Sequence, residues 1–171
     1  AADFTGITTS SLTYNVSVSS SGLGANTTYY FQVRALNHNS VPTVFVSLAS
    51  TSTLANIPAT AATTFTAVYT SSMSVAWSAN GNPVGVTTYT VVLSTGFLPN
   101  TFSGNRTIST APAGSLPTAT VAGLLSNATY QLFIAAVNHG GLATAYAALG
   151  STVTLANAPV SAVPTFSAVS N

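Results

Sequence analysis

The chain repeats itself at a fixed spacing. Since 127 minus 26 and 154 minus 53 both give 101, the repeat length is 101 residues, and no insertion interrupts the match. A register held in this way is typical of tandem copies of one domain. We therefore predict that the chain is a stretch of a repeat array. Three four-residue motifs carry the match; they begin at Asn26, Ala35 and Thr53, and return at Asn127, Ala136 and Thr154.

The repeat also predicts the domain boundaries. Residues 1–56 match the C-terminal part of a first domain, residues 57–157 form one complete domain, and residues 158–171 match a linker and the first strand of a third. A unit of about 100 residues can bury a core of its own. The incomplete first domain is expected to leave an apolar face and strand edges exposed. We expect neighbouring copies of the protein, or further repeats of the same chain, to cover them.

Charge is almost absent from the sequence. The 171 residues include one acidic residue, Asp3, and two basic residues, Arg34 and Arg106, so the net charge is +1. Such a chain has no electrostatic footprint for nucleic acid or anionic lipid, and its longest apolar run is far below the ~20 residues of a membrane span. A surface without charge also favours self-association. The predicted partners are further copies or repeats, with no nucleic acid and no membrane insertion in this segment.

The same inventory argues against catalysis. The absence of Cys excludes a disulfide framework, a thiolate nucleophile and a Cys-bound metal. One acid and two His cannot supply paired carboxylates, and Asp3 has no counterpart in the second copy, where Gly104 stands. His38 and His139 lack the acidic or Cys neighbours of a metal site, so we interpret them as turn residues. We predict a non-enzymatic chain with no catalytic, metal or cofactor-binding residues.

Short runs of alternating polarity predict β-strands. Residues 73–78, 89–94 and 130–136 each place apolar side chains on one face and smaller or polar ones on the other. Turn clusters such as residues 80–83 and 138–141 lie between the runs, and helical spacing is nowhere sustained. About seven short strands in roughly 100 residues predict an all-β fold built as a β-sandwich. The apolar faces comprise Met73, Val75 and Trp77; Tyr89, Val91 and Leu93; and Tyr130, Leu132, Ile134 and Ala136.

These residues resemble the fibronectin type III family. The likeness rests on residues 73–78 with Trp77, on residues 89–93, and on residues 123–130 leading into the next strand. The last segment resembles the family's tyrosine corner, which implies that Tyr130, and Tyr29 in the first copy, bond a nearby backbone group through the hydroxyl. The resemblance covers the whole chain and implies tandem immunoglobulin-like sandwiches of about seven strands. It does not imply one function, because the family serves as spacer, adhesive module and enzyme appendage.

Two kinds of candidate site remain. Asn-x-Ser/Thr triplets are possible glycosylation sites, although such triplets also arise by chance in a chain this rich in Ser, Thr and Asn. Two aromatic residues, Phe97 and Phe102, could form an exposed platform for a sugar or a partner protein; alternatively they fold back over the sandwich edge. The triplets begin at Asn15, Asn26, Asn105 and Asn127.

Two functions fit these observations. The first is a structural repeat segment of a microbial surface filament, stalk or sheath, which self-associates without catalysis and lies outside the cell or at its surface. The alternative is a glycan-binding or adhesive module, for example an appendage of a larger secreted enzyme. The uninterrupted repeat and the missing charges favour the first.

Overall fold

The computed structural model describes residues 17–96, 105–110 and 116–160. These residues form nine β-strands and no helix, so the predicted all-β fold is confirmed. The strands are β1 (Thr28–Val33), β2 (Val46–Ser52), β3 (Ala59–Val68), β4 (Ser72–Ser78), β5 (Thr88–Ser94), β6 (Arg106–Thr110), β7 (Thr118–Ala122), β8 (Thr129–Val137) and β9 (Ala147–Val153).

Strands β3 to β9 form a β-sandwich. One sheet has the order β3-β4-β7 and the other the order β6-β5-β8-β9, and every pairing is antiparallel. The predicted sandwich of about seven strands is confirmed for this part of the chain. Strands β1 and β2 form a separate antiparallel pair, which we call the hairpin.

The core of the sandwich lies between the faces that alternation predicted. Trp77 of β4 and Val91 of β5 are fully buried, as are the predicted inward residues of β8. The ring of Trp77 meets that of Tyr89 edge-on, with centroids 5.2 Å apart and planes at 67°, an arrangement that the charge distribution of aromatic rings favours. The Tyr89 hydroxyl is buried and has no hydrogen-bond partner among the described residues.

Several residues on the opposite face of these strands are buried as well. Ala76, Val92, Phe133 and Ala135 are all almost inaccessible to solvent, although alternation places them away from the core. Their strands are the inner ones: β4 lies between β3 and β7, and β5 and β8 lie between β6 and β9. Alternation therefore identifies the core face correctly but understates how much of an inner strand is buried.

The two tyrosine corners have the geometry that the resemblance implied. The backbone N–H of Leu125 donates to the hydroxyl of buried Tyr130 over 3.0 Å, and that of Gly24 donates to Tyr29 over 2.8 Å. Gly123 precedes the second corner with a φ of +76°, in the left-handed region that favours glycine. A side chain there would also approach Arg106 Nε to 3.0 Å.

We expect Tyr130→Phe to lower the free energy of unfolding by about 1–2 kcal/mol, because the Leu125 N–H loses its partner in a partly buried loop. Tyr89→Phe is the matched control. It removes a buried hydroxyl without a hydrogen bond, so we expect no loss, and a gain of up to about 1 kcal/mol. Chemical denaturation of both variants measures the difference, and equal losses would contradict the expectation.

The hairpin lacks the enclosure that its counterparts have in the sandwich. Phe31 and Val33 of β1 are 40% and 50% exposed, whereas Leu132 and Ile134, 101 positions later, are fully buried. Within the described residues β1 pairs with β2 alone, whereas β8 is flanked by β5 and β9. The same sequence pattern is therefore exposed in the hairpin and enclosed in the sandwich.

Candidate functional site: the joint between the two copies

Side chains of the repeated motifs meet where the hairpin segment contacts one end of the sandwich. We call this contact the joint. Its contacts are made by amides, hydroxyls and backbone groups, and no Arg, Asp, Glu or Lys side chain of the described residues takes part in its hydrogen bonds. The joint comprises Asn26, Thr53, Asn56 and Ile57 on the hairpin side, and Asn80, Asn82, Thr87, Asn138 and His139 on the sandwich side.

Asn26 is almost completely enclosed in the joint, at 1% exposure. Its Nδ2 donates to Thr87 Oγ1 over 2.9 Å, and its Oδ1 accepts from the backbone N–H of His139 over 2.7 Å. The Thr87 hydroxyl in turn donates to the carbonyl of Pro83, which fixes its orientation. Asn26 has a φ of 41°, and Asn tolerates this left-handed conformation better than most residues. Both ends of its side chain therefore bind the sandwich.

Asn138 makes a second bond across the joint, in the opposite direction. Its Nδ2 donates to the carbonyl of Thr53 over 3.0 Å. Its Oδ1 accepts from the backbone N–H of Leu142 over 2.8 Å, which closes the turn that contains Gly141, a glycine with a φ of 80°. One amide thus shapes its own turn and binds the neighbouring segment.

The segment that connects β2 to β3, residues 53–58, is held by a reciprocal pair of Asn residues. The backbone N–H of Asn56 donates to Asn82 Oδ1 over 2.7 Å, and Asn82 Nδ2 donates back to the Asn56 carbonyl over 2.8 Å. Asn56 Nδ2 also reaches the carbonyl of Asn80, and Asn80 Nδ2 reaches that of Ile57, each over 2.9 Å. The following Pro58 is buried. The segment between the hairpin and the sandwich is therefore hydrogen-bonded to the sandwich and does not run free through solvent.

Two physical consequences follow from the chemistry of the joint. A net contribution of about 0.5–1.5 kcal/mol is typical of one protein hydrogen bond, and a buried group left without its partner costs more. The groups are uncharged, so salt does not screen them as it screens ion pairs. The hairpin should consequently keep one orientation relative to the sandwich over a wide range of ionic strength.

Tyr89 lies close to the joint residues Asn82 and Thr87. Burial raises the pKa of its hydroxyl from the ordinary value of 10.0, and the neighbouring side chains of Asn82 and Thr87 oppose that shift, although no hydrogen bond at good geometry joins them to the hydroxyl. The folded state therefore binds the phenol proton more tightly than the unfolded state.

The raised pKa predicts a loss of stability at alkaline pH. The stabilisation is fully present below the unfolded pKa of 10.0, and it is lost as the pH rises through the higher folded pKa. Below that range we expect little pH dependence, because the chain contains a single carboxylate side chain. Unfolding midpoints measured from pH 4 to 11 for the wild type and Tyr89→Phe test this; a parallel decline in both would assign the alkaline loss to other groups.

The structure separates the four predicted glycosylation sites. Asn26 is buried, and the nitrogen that would carry a glycan is the donor to Thr87. Asn127 is exposed, and Asn105 is half-buried with an Oδ1 that has no hydrogen-bond partner among the described residues. Asn15 and the two candidate aromatic residues, Phe97 and Phe102, lie outside the described residues. Glycosylation and ligand contact stay predictions.

The other polar residues singled out by the sequence lie apart from one another. His139 is exposed and enters the joint only through its backbone. The Arg34 guanidinium lies 4.7 Å from the ring centroid of Phe45, a cation–π distance, and Arg106 Nε donates to the Gly123 carbonyl. The described ranges contain no cluster of three or more His, Cys, Asp or Glu. None of their elements is a helix that could span a membrane.

No protein-family model and no curated protein sequence matches the chain. Solved structures do match. A human fibronectin type III domain, from fibronectin type III domain containing protein 3, is 15% identical with a TM-score of 0.41; the match covers 60% of this chain and 87% of that one. The FN1–FN3 domains of chicken CNTN1 are also 15% identical with a TM-score of 0.42, covering 78% of this chain and 45% of that one.

Proposed function

We propose that the chain is a structural repeat segment of an extracellular surface filament, stalk or sheath, which self-associates and performs no catalysis. The observation that carries the proposal is the joint. Residues of the repeated motifs, Asn26 and Thr53 on one side and Asn138 and His139 on the other, bind each other across it. A connection built in this way transmits orientation from one unit to the next.

The surface supports the same role. Large apolar side chains are exposed on the hairpin and beside the joint, among them Leu48 at 64% and Leu54 at 63%. With a net charge of +1, there is little repulsion between copies to oppose their association. Fibronectin type III-like sandwiches are typical of structural and adhesive proteins, and these often act outside the cell. The chain's few titratable side chains offer no acid–base pair for catalysis.

Electron microscopy of the native material tests the proposal. We expect filaments or chains of beads with an axial repeat of about 30–40 Å, the length of a strand of roughly ten residues at ~3.3 Å each. The filaments should persist when the salt concentration is raised to about 1 M, because the proposed contacts do not depend on ion pairs. Native material consisting only of compact monomers would exclude the proposal.

A further inference from the structure

We infer that the joint recurs at the far end of the sandwich. Asn127, Thr154 and Asn157 form a docking surface for the domain that follows, and that domain contributes residues equivalent to Thr87, Asn138 and His139. The partner is therefore another copy of the same domain, joined head to tail in the same polypeptide. This inference rests on the proposed function in one respect, since both require a repeat array.

The first support is the identical construction of the two docking loops. Asn127 has a φ of 52°, compared with 41° for Asn26. The backbone N–H of Asn127 donates to the Leu155 carbonyl over 3.1 Å, and that of Asn26 to the Leu54 carbonyl over 3.0 Å. The loop of Asn127 therefore presents its amide as the loop of Asn26 does.

The hydroxyl that ties each loop to the end of its last strand is also the same. Thr53 Oγ1 donates to the Gly24 carbonyl, and Thr154 Oγ1 donates to the Leu125 carbonyl, each over 2.6 Å. Each Thr also accepts a backbone N–H of the docking loop through Oγ1, over 3.0 Å at Thr53 and 2.9 Å at Thr154. Thr53, held in this way, presents the carbonyl that accepts from Asn138 Nδ2, and Thr154 is held by the same bonds.

The second support is a difference in hydrogen bonding. The side-chain amides of Asn127 and Asn157 lack the bonds across the joint that Asn26 and Asn56 make. Asn127 is exposed, and its side chain makes no hydrogen bond within the described residues, whereas Asn26 makes two. Asn157 Nδ2 bonds the hydroxyl of Ser126 over 3.0 Å. Asn56 Nδ2 instead reaches across the joint to the Asn80 carbonyl. Within the described residues, the far end of the sandwich thus presents the same groups without the bonds that the joint makes.

The third support concerns the turn that receives the docking loop in the joint, residues 138–142, which we call the receiving turn. The same turn occurs in the first copy, at residues 37–41. Asn138 Oδ1 accepts from the Leu142 N–H over 2.8 Å, and Asn37 Oδ1 accepts from the Val41 N–H over 2.9 Å. In the first copy Asn37 is exposed, and its Nδ2 makes no hydrogen bond within the described residues. Each copy therefore carries a docking loop at one end and a receiving turn at the other. A contact between two different surfaces of the same unit builds a head-to-tail array, which stays open unless the rotation between units closes it into a ring.

The sequence beyond the docking surface agrees with this placement. Pro159 and Phe166 stand 101 positions after Pro58 and Phe65, so the chain that leaves Asn157 again reads as the chain that leaves Asn56. The inference has a chemical consequence for the glycosylation triplets. A docked Asn127 would be enclosed as Asn26 is, with no room for a glycan, so Asn15 and Asn105 would remain as the candidate acceptors.

Side-chain amide exchange measured by nuclear magnetic resonance tests the inference. The chain is compared with the same chain lengthened by a second copy of residues 71–157 after Asn171, which completes the third repeat in register. In the present chain we expect the Asn26 amide protons to exchange slowly and those of Asn127 to exchange fast. In the lengthened chain we expect exchange at Asn127 to slow by about tenfold or more, to the rate at Asn26. An unchanged Asn127 rate in a folded lengthened chain would overturn the inference.

A second measurement does not depend on the lengthened chain. Hydrogen-exchange mass spectrometry of the native polypeptide compares the receiving turns of successive repeats, in which the N–H equivalent to that of His139 is protected only when the preceding loop is docked. Equal protection in successive repeats supports the inference. Protection at His139 without protection at the equivalent N–H of the following repeat, which would receive Asn127, overturns it, as does a glycan on Asn127. Filaments with an undocked Asn127 would contradict this inference alone. Monomers with a docked Asn127 would contradict the proposed filament alone.

Discussion

Asn26→Gly is expected to weaken the joint by about 2–4 kcal/mol. The substitution removes two hydrogen bonds from a site that is 1% exposed, and a buried polar group left unpaired costs about 1–3 kcal/mol. Glycine keeps the left-handed backbone that Asn26 adopts, so the loss reports the amide rather than backbone strain. Exchange of the hairpin amides measures the effect; a factor of ten in protection corresponds to about 1.4 kcal/mol.

Asn127→Gly supplies the matched control for this prediction. Asn127 has the same backbone conformation in a loop with the same hydrogen bonds, but its side chain binds nothing within the described residues. We expect a change within about 0.5 kcal/mol in the present chain, as for an ordinary surface substitution. Equal losses in the two variants would mean that the cost arises in the loop itself, and the joint would then contribute little.

Much of the fold follows from local patterns. The core faces of β4, β5 and β8 are predictable because alternation has a period of two and one apolar face must be buried. The tyrosine corner is predictable because it is a local arrangement: Tyr130 and its donor Leu125 are five residues apart. In each case the residues that determine the contact lie within one strand or one loop.

The joint could not be predicted in the same way. Asn26 and Thr87 are 61 residues apart, and Asn26 and His139 are 113 apart, so their contact depends on how two folded segments are placed. A lone Asn before Thr-Thr reads equally as a turn residue or a glycosylation triplet. The available signal was that Asn26 and the pair Asn138-His139 belong to motifs that repeat at one spacing. Read together, such motifs favour a contact that every copy must make.

Burial on the second face of the inner strands was missed for a related reason. Phe133 and Ala135 alternate with Leu132 and Ile134, and a period of two assigns them to the outside. Whether that outside is solvent depends on neighbouring strands and on segments distant in sequence. Alternation determines which side of a strand faces the core, and it carries no information about what covers the other side.

Trp77→Ala is expected to lower the free energy of unfolding of the sandwich by about 3–5 kcal/mol, the range typical of removing a buried aromatic side chain. Trp77 is fully buried and packs edge-on against Tyr89. Its loss leaves a cavity between the sheets and removes the ring that positions Tyr89 beside Thr87. We therefore expect the joint to loosen as well, so that the hairpin amides and the Asn26 side chain exchange faster than in the wild type.

The control is Tyr69→Ala, which removes an aromatic ring that is 55% exposed in the same sandwich. We expect a loss below about 1 kcal/mol, because most of that side chain already contacts water. Chemical denaturation gives the stabilities of both variants, and amide exchange at the hairpin gives the state of the joint. If Trp77→Ala destabilises the sandwich while leaving the Asn26 exchange rate unchanged, the joint is mechanically independent of the core, and orientation along the array is then determined by the joint amides alone.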